Sequence, residues 1–308
     1  MRGKRIASSV GNSRLKARHR MARSPGLITR MQINLLNLLA DLREADSTSR
    51  QNRLELDIRR RVCEVMAATR SPPRLLPSGD SAITVEFSRS IDEMANQRVL
   101  ALDRTLARET ITGVTETVPT YRSLLVHYDP VQIDFDTLSG KLVTLAQLPV
   151  PPVTKMRRWR IPVAYGGEYG IDLEDVARTL KSTPENIVAR HVAGDYRVAM
   201  IGFTPGWSYL SGLDASLQMP RLHNPRLVTP AGTVSIGGVQ TGVQCLAGPS
   251  GWHLLGRTAV RTYQLHRDPI FLLEPGDAVT FSAVDARTFA EQDRAAAAGE
   301  IVAELMTS

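Results

Sequence analysis

From Leu75 onward the apolar positions change period several times, and each change marks an element. SGD (78–80) reads as a turn and AITVEF (82–87) alternates as a strand. IDEMANQRVLALDRTLAR (91–108) carries apolar residues at helical spacing, with Asp92 and Glu93 in the first turn, where carboxylates suit the positive end of the helix. GVTETVP (113–119) and SLLVHYD (123–129) predict two strands joined through Thr120–Tyr121–Arg122, and DFDTLSGKLVTLAQ (134–147) predicts a second amphipathic helix. Strands and helices in this order predict an α+β domain over 71–150. PVPPV (149–153) then reads as a stiff linker.

Beyond the linker the period is mostly two. RWRIPVAYG (158–166) alternates as a strand, and DLEDVARTL (172–180) predicts a short helix. Thr183 predicts the N-cap of another, with Pro184 in the first helical position and Glu185 behind it, so that His191 falls near that helix's end. YRVAMIGF (196–203) predicts the next strand. From residue 226 onward TVSIGG, TGVQCL, WHLLGRTAV, PIFLLE, the turn PGD (275–277) and AVTFSAV (278–284) succeed one another as strands and turns. That spacing predicts a closed antiparallel barrel over 155–288, and residues 289–308 predict a terminal helix.

Composition changes the picture at the N-terminal end. The 308 residues carry a net charge of +7, yet residues 1–70 hold 16 Lys and Arg against 6 Asp and Glu, a net of +10, while residues 71–308 hold 22 against 25, a net of −3. The excess belongs to the leader, so nucleic acid is not an expected partner of the globular part. The leader has no acid in its first forty positions and resembles an organellar transit peptide in composition. It is expected to be a disordered extension, or to precede a functional start near Met66, ahead of a targeting signal or basic arm. Segments 33–45 and 54–68 could form short amphipathic helices. No apolar run of membrane-spanning length occurs, so no membrane is expected. Cys63 and Cys245 lie too far apart for a disulfide framework or a metal knuckle, which fits a reducing, cytoplasmic setting. Cys245 is expected to be a buried strand residue.

Several catalytic signatures are missing: no Walker A loop, no GxGxxG after a strand, no HExxH, no GxSxG and no CxxC. GPSG (248–251) is read as a hairpin turn, and the histidines do not recur at metal-ligand spacing. The residues present suit a small polar or anionic ligand. Arg221, Arg226 and Arg257 can each grip a carboxylate or phosphate, and glycine-flanked N–H groups near Gly237, Gly238 and Gly242 can cradle an oxyanion. Gln240 offers a donor and an acceptor to an amide or lactam, and Tyr209 and Trp252 can wall the pocket. Ser235 and Thr241, on the same strands, complete the binding set, with His191, Arg226 and Gln240 expected to be catalytic and no metal expected.

GDSAITVEF, VPTYRSLLVHYDP, YRVAMIGFTPGWSYLSGLD, TPAGTVSIGGVQTGV and GWHLLGRT occur in order between Leu75 and Val284. These phrases resemble the KipI family, whose members are known as subunits of 5-oxoprolinase or as allophanate hydrolase subunit 1. The family's histidine before the Y-x-V strand matches His191, its G-F-x-P-G-aromatic-x-Y-L turn matches Gly202 to Leu210, and its Q-T-G matches Gln240 to Gly242. Its arginine ahead of the V-P-x-G-S strand matches Arg226, and its G-W-x-x-[IL]-G-R-T matches Gly251 to Thr258. This chain departs from the pattern at Ser208, Thr233, Gln244–Cys245 and Ser250, close to the expected pocket.

The resemblance implies an α+β domain followed by a cyclophilin-like β-barrel. It further implies a subunit, inactive alone, that opens 5-oxoproline to glutamate with ATP, the nucleotide bound mainly by or shared with a KipA-like partner. A third subunit of the LamB/YcsF type belongs to the same expectation. Two alternatives stay open at this point: a urea carboxylase-type carboxyltransferase acting on urea-like amides, and a non-catalytic inhibitor of a histidine kinase.

Overall fold

The computed structural model describes residues 71–150 and 156–306; the leader with its two amphipathic segments, and residues 151–155 of the proline-rich linker, lie outside the described residues. Four strands, β1 (Arg74–Pro77), β2 (Ala82–Glu86), β3 (Val114–Pro119) and β4 (Ser123–Tyr128), pair antiparallel in the order β1-β2-β4-β3. Alternation decides which face is covered. Leu124, Val126 and Tyr128 of β4 turn toward α1 (Glu93–Arg108) and α2 (Phe135–Ala146), where Val99, Leu102, Leu106, Leu138 and Leu142 complete a core. Both helices begin on an aspartate whose carboxylate accepts a backbone N–H three residues on, Asp92 from Ala95 and Asp134 from Thr137.

A second core fills a barrel. Its staves are β5 (Arg158–Tyr165), β6 (Tyr196–Ile201), β7 (Ser208–Ser211), β9 (Thr233–Gly237), β10 (Gln240–Gln244), β12 (His253–Arg257) and β13 (Ala278–Val284). They run in the order β12-β9-β10-β7-β6-β13-β5, and β5 pairs back to β12 to close the ring. The expected antiparallel barrel is present, with one parallel pair that follows from closure itself. A ring with an odd number of staves cannot alternate direction throughout, so one neighbouring pair must run parallel. That pair is β13 with β5, in register from Ala278↔Arg158 to Val284↔Ala164. Ile161, Val163, Val198, Leu210, Val234, Ile236, Val243, Leu255 and Val279 fill the interior, joined by residues of α3 (Leu173–Thr179) and α4 (Pro184–Val192). Thr183 caps α4 by accepting the Asn186 N–H at 3.2 Å.

The arms β8 (Arg226–Thr229) and β11 (Gly248–Ser250) form a separate two-stranded ribbon. PIFLLE, read as a strand, is irregular and pairs only through the bridge Tyr263↔Phe271. The C-terminal segment also differs from the expected helix over 289–308. α5 spans Ala286–Ala297 and stops at Gly299, whose φ of +97° lets the Gly299 and Glu300 N–H groups turn back onto the Ala296 and Ala295 carbonyls. The chain then extends as β14 (Glu304–Met306) and pairs with the first half of β5. Among the described residues no helix is long and apolar enough to cross a membrane.

The α+β layer and the barrel are joined through Asn96 of α1. Buried at 3% exposure, its side-chain amide donates to Thr120 O at 3.1 Å and to Ala199 O of β6 at 3.0 Å. This bond ties the β3–β4 turn to the barrel wall and brings Tyr121 over it.

Candidate functional site

On β7, β9 and β10 the side chains of Leu210, Ile236, Thr241 and Val243 enter the barrel, so Tyr209, Gly237, Gln240 and Gly242 lie on its outer face. The register sets Gly242 beside Tyr209 and Gln240 beside Gly237. A Cβ on Gly237 would stand 2.8 Å from the Trp252 ring, and one on Gly242 would stand 3.3 Å from both the Trp252 ring and Trp207 Nε1. The glycines therefore form a floor on which the Trp252 indole lies flat.

Rings continue outward from that floor. Tyr209 stacks on Trp207 at 5.7 Å and meets Trp252 edge-on at 5.7 Å, while Tyr121 of the α+β layer meets Tyr209 edge-on at 6.4 Å. Phe203 stands edge-on to Trp207 at 5.3 Å, 66% exposed and with φ +69°. A bulky side chain in the left-handed region costs about 1–2 kcal/mol, and such strain clusters at working sites. The Arg221 guanidinium lies 5.4 Å over the Trp252 ring and reaches Gln240 Oε1 at 3.5 Å. Burial pushes the Tyr209 hydroxyl toward its protonated form, with Arg221 opposing, and burial pushes the Tyr121 hydroxyl up as well. What results is an aromatic wall edged by one guanidinium, one carboxamide and two neutral hydroxyls.

Of the residues expected to bind or catalyse, the structure brings together Tyr209, Arg221, Gln240, Gly242 and Trp252. The others are placed as follows. His191 is fully buried: Phe281 stacks on its ring at 4.7 Å, Nδ1 meets the Tyr165 hydroxyl at 2.8 Å, and Nε2 meets Thr241 Oγ1 at 2.9 Å. Because the Thr241 hydroxyl donates to Ser235 O at 3.0 Å, it accepts from Nε2–H, which leaves Nδ1 to accept from Tyr165. Desolvation lowers the His191 pKa to about 3. The structure thus places His191, with both ring nitrogens engaged, and Thr241 inside the barrel, apart from the outer-face group.

Arg226 turns away to Asp172, whose two carboxylate oxygens take the guanidinium at 2.5 Å and the Leu254 N–H at 2.8 Å. Arg257 donates to Ala231 O at 3.2 Å and lies over Phe289, bracing the terminal helix. Gly238 adopts φ +64° in the β9–β10 hairpin and spends its N–H on Met219 O at 2.8 Å. Ser235, on the outer face of β9 in register with Gly242, is fully buried, and its hydroxyl makes no hydrogen bond among the described residues. The expected glycine cradle is a floor for indole packing, since Cβ atoms on Gly237 and Gly242 would meet the Trp252 ring. Cys245 is buried, as expected, but it follows the end of β10 rather than lying in a strand, beside the Tyr263 backbone.

Sequence reasoning missed Phe203, Trp207 and Tyr121. The G-F-x-P-G turn signalled strain without saying that Phe203 carries it, and Tyr121 lies about ninety positions from the strand it faces, a separation no local pattern reports.

The chain belongs to the carboxyltransferase domain family, subdomains C and D, whose model matches residues 73–273. It is 34% identical over 222 residues to a 5-oxoprolinase subunit of Bacillus subtilis, covering 68% of this chain and 92% of that one. The crystal structure of TTHA0988 is 38% identical with a TM-score of 0.60, over 67% of this chain; the chain spans only 40% of that protein's length. The Kluyveromyces lactis urea amidolyase shares the fold at 20% identity and a TM-score of 0.65, across 76% of this chain and 16% of its own.

Proposed function

We propose that this chain is the subunit of an ATP-dependent 5-oxoprolinase that presents the lactam, working with a KipA-like second subunit and a LamB/YcsF-type third. The observation that carries the reading is the convergence of Arg221, Gln240, Tyr209 and Trp252 on one outer face. 5-Oxoproline offers what each of them takes. Its carboxylate suits the exposed Arg221 guanidinium, its flat ring suits the aromatic wall, and its amide pairs donor to acceptor with the Gln240 carboxamide. The name of the Bacillus subtilis relative supports the same assignment.

Ring opening adds water across the lactam C–N bond, hydroxyl to carbon and proton to nitrogen. An unstrained amide needs its oxygen activated first, and ATP supplies that activation. Arg226 pairs with Asp172, Arg257 donates to Ala231 O and the Gly238 N–H to Met219 O, which supports assigning the nucleotide mainly to the partner's residues. This subunit alone is therefore inactive; its part is to hold the lactam while the partner completes the site.

The test is ATP-dependent 5-oxoproline turnover with the partner subunits and wild type, Arg221→Ala or Gln240→Ala. Loss of a hydrogen bond to a charged group is worth about 1.5–3 kcal/mol, so KM rises roughly 10- to 100-fold for Arg221→Ala and about tenfold for Gln240→Ala. Full activity at unchanged KM in both variants removes the site.

A further inference from the structure

The Tyr121 hydroxyl is a buried polar atom for which the site described so far has no use. Tyr121 is 5% exposed, and its oxygen makes no bond of good hydrogen-bond geometry among the described residues, the Gln240 carboxamide being the group that approaches it. A buried hydroxyl left unpaired is destabilising, and native chains keep few of them without a reason. Its ring is held in place on two sides. Asn96 ties the preceding Thr120 to the barrel wall, and Tyr209 packs against the ring. Gln240 lies close enough to oppose the upward push that burial gives the Tyr121 hydroxyl. Yet the Gln240 carboxamide oxygen faces Arg221, across a contact of 3.5 Å that is at the long limit for such a bond.

We propose that Tyr121 is a positioning residue for amide recognition: when a carboxylate-bearing lactam draws Arg221 off Gln240, the Tyr121 O–H takes over Gln240 Oε1 and turns the carboxamide NH2 toward the ligand's carbonyl oxygen. The inference rests on the lactam site proposed above. A free carboxamide can present either its oxygen or its nitrogen, and the two ends are nearly alike in shape. A neutral phenol donating to the oxygen breaks that symmetry. The ligand's own carboxylate is then the trigger, because it competes for the guanidinium that occupies the oxygen in the free protein. The α+β layer thereby supplies a working group to the barrel's site.

Tyr121→Phe removes the oxygen alone. In the assembled complex, KM for 5-oxoproline rises about tenfold, the factor for one hydrogen bond of about 1.4 kcal/mol, while kcat changes much less. Added to Gln240→Ala, the substitution costs nothing further, since both act on one contact. In the free chain the variant melts at the wild-type temperature or a few degrees above it, because no bond is lost. An unchanged KM, or effects that add in the double variant, overturns the inference. So does a free-chain melting temperature several degrees lower, which shows the hydroxyl already bonded. If the wild-type complex leaves 5-oxoproline intact, the lactam reading fails separately, and the free-chain melting decides the state of Tyr121.

Discussion

His191 makes the stability of this protein depend on pH in a direction that can be worked out from its surroundings. Its ring is enclosed by Tyr165, Tyr196, Thr241 and Phe281, with no carboxylate among these four, and desolvation takes its pKa from 6.5 to about 3. Between those two values the unfolded chain binds a proton that the folded chain does not. Stability therefore rises with pH across that window and is lost on acidification, at up to about 1.4 kcal/mol per pH unit. From pH 6.5 to 4.5 the loss assigned to this one ring is about 2 kcal/mol, and from pH 7 it is about 2.5 kcal/mol. The control is His191→Phe, which keeps an aromatic ring against Phe281 but cannot take up a proton. At neutral pH it costs about 1–3 kcal/mol, because the buried Tyr165 hydroxyl loses its acceptor. Urea unfolding of the free chain, followed by tryptophan fluorescence at pH 7 and pH 4.5, then gives two slopes. Wild type should lose about 2.5 kcal/mol more than the variant over that range. Equal losses refute the buried neutral imidazole; a variant of unchanged stability whose complex no longer turns over substrate supports a catalytic role for His191.

Two further substitutions separate fold from site. Asp172→Ala strands the Arg226 guanidinium and the Leu254 N–H, so it should destabilise by about 3–5 kcal/mol in chemical denaturation while the surviving folded complex keeps its KM; a KM shift without loss of stability would return Arg226 to the ligand. Gly237→Ala places a methyl 2.8 Å from the Trp252 ring, and is expected to displace the indole and raise KM at least tenfold with only a small drop in melting temperature; wild-type kinetics would show that Trp252 does not wall the pocket.

Local chemistry was legible wherever it acts over a few residues. Glu93 in the first turn of α1, the Thr183 cap with Pro184 behind it, and alternating strands such as β2, β4 and β5 appear where the pattern puts them, because caps and periodicity are short-range. The aromatic members of the site, Tyr209 and Trp252, and the polar pair Arg221 and Gln240 were also within reach, since glycine-rich strands beside aromatics advertise close packing. What the sequence did not report were the partners of the other charged and polar residues. Arg226 finds its acid 54 residues away, and His191 finds Thr241 50 residues away. Side-chain type says what a group can bond to, and only the fold says which bond is already made.

On its own, the order of residues determined the kinds of element, their sequence, the family and a short roll of candidate groups, all of which follow from propensity and period along the chain. Closure of the barrel decided the rest. Bending seven staves into a ring forced one parallel pair, drove His191 and Thr241 inward and turned Gly237, Gln240 and Gly242 outward. It also laid Tyr121, from a different layer, over Tyr209. Inside and outside are properties of a closed surface, and a linear pattern distinguishes two faces of a strand without saying which of them meets a partner.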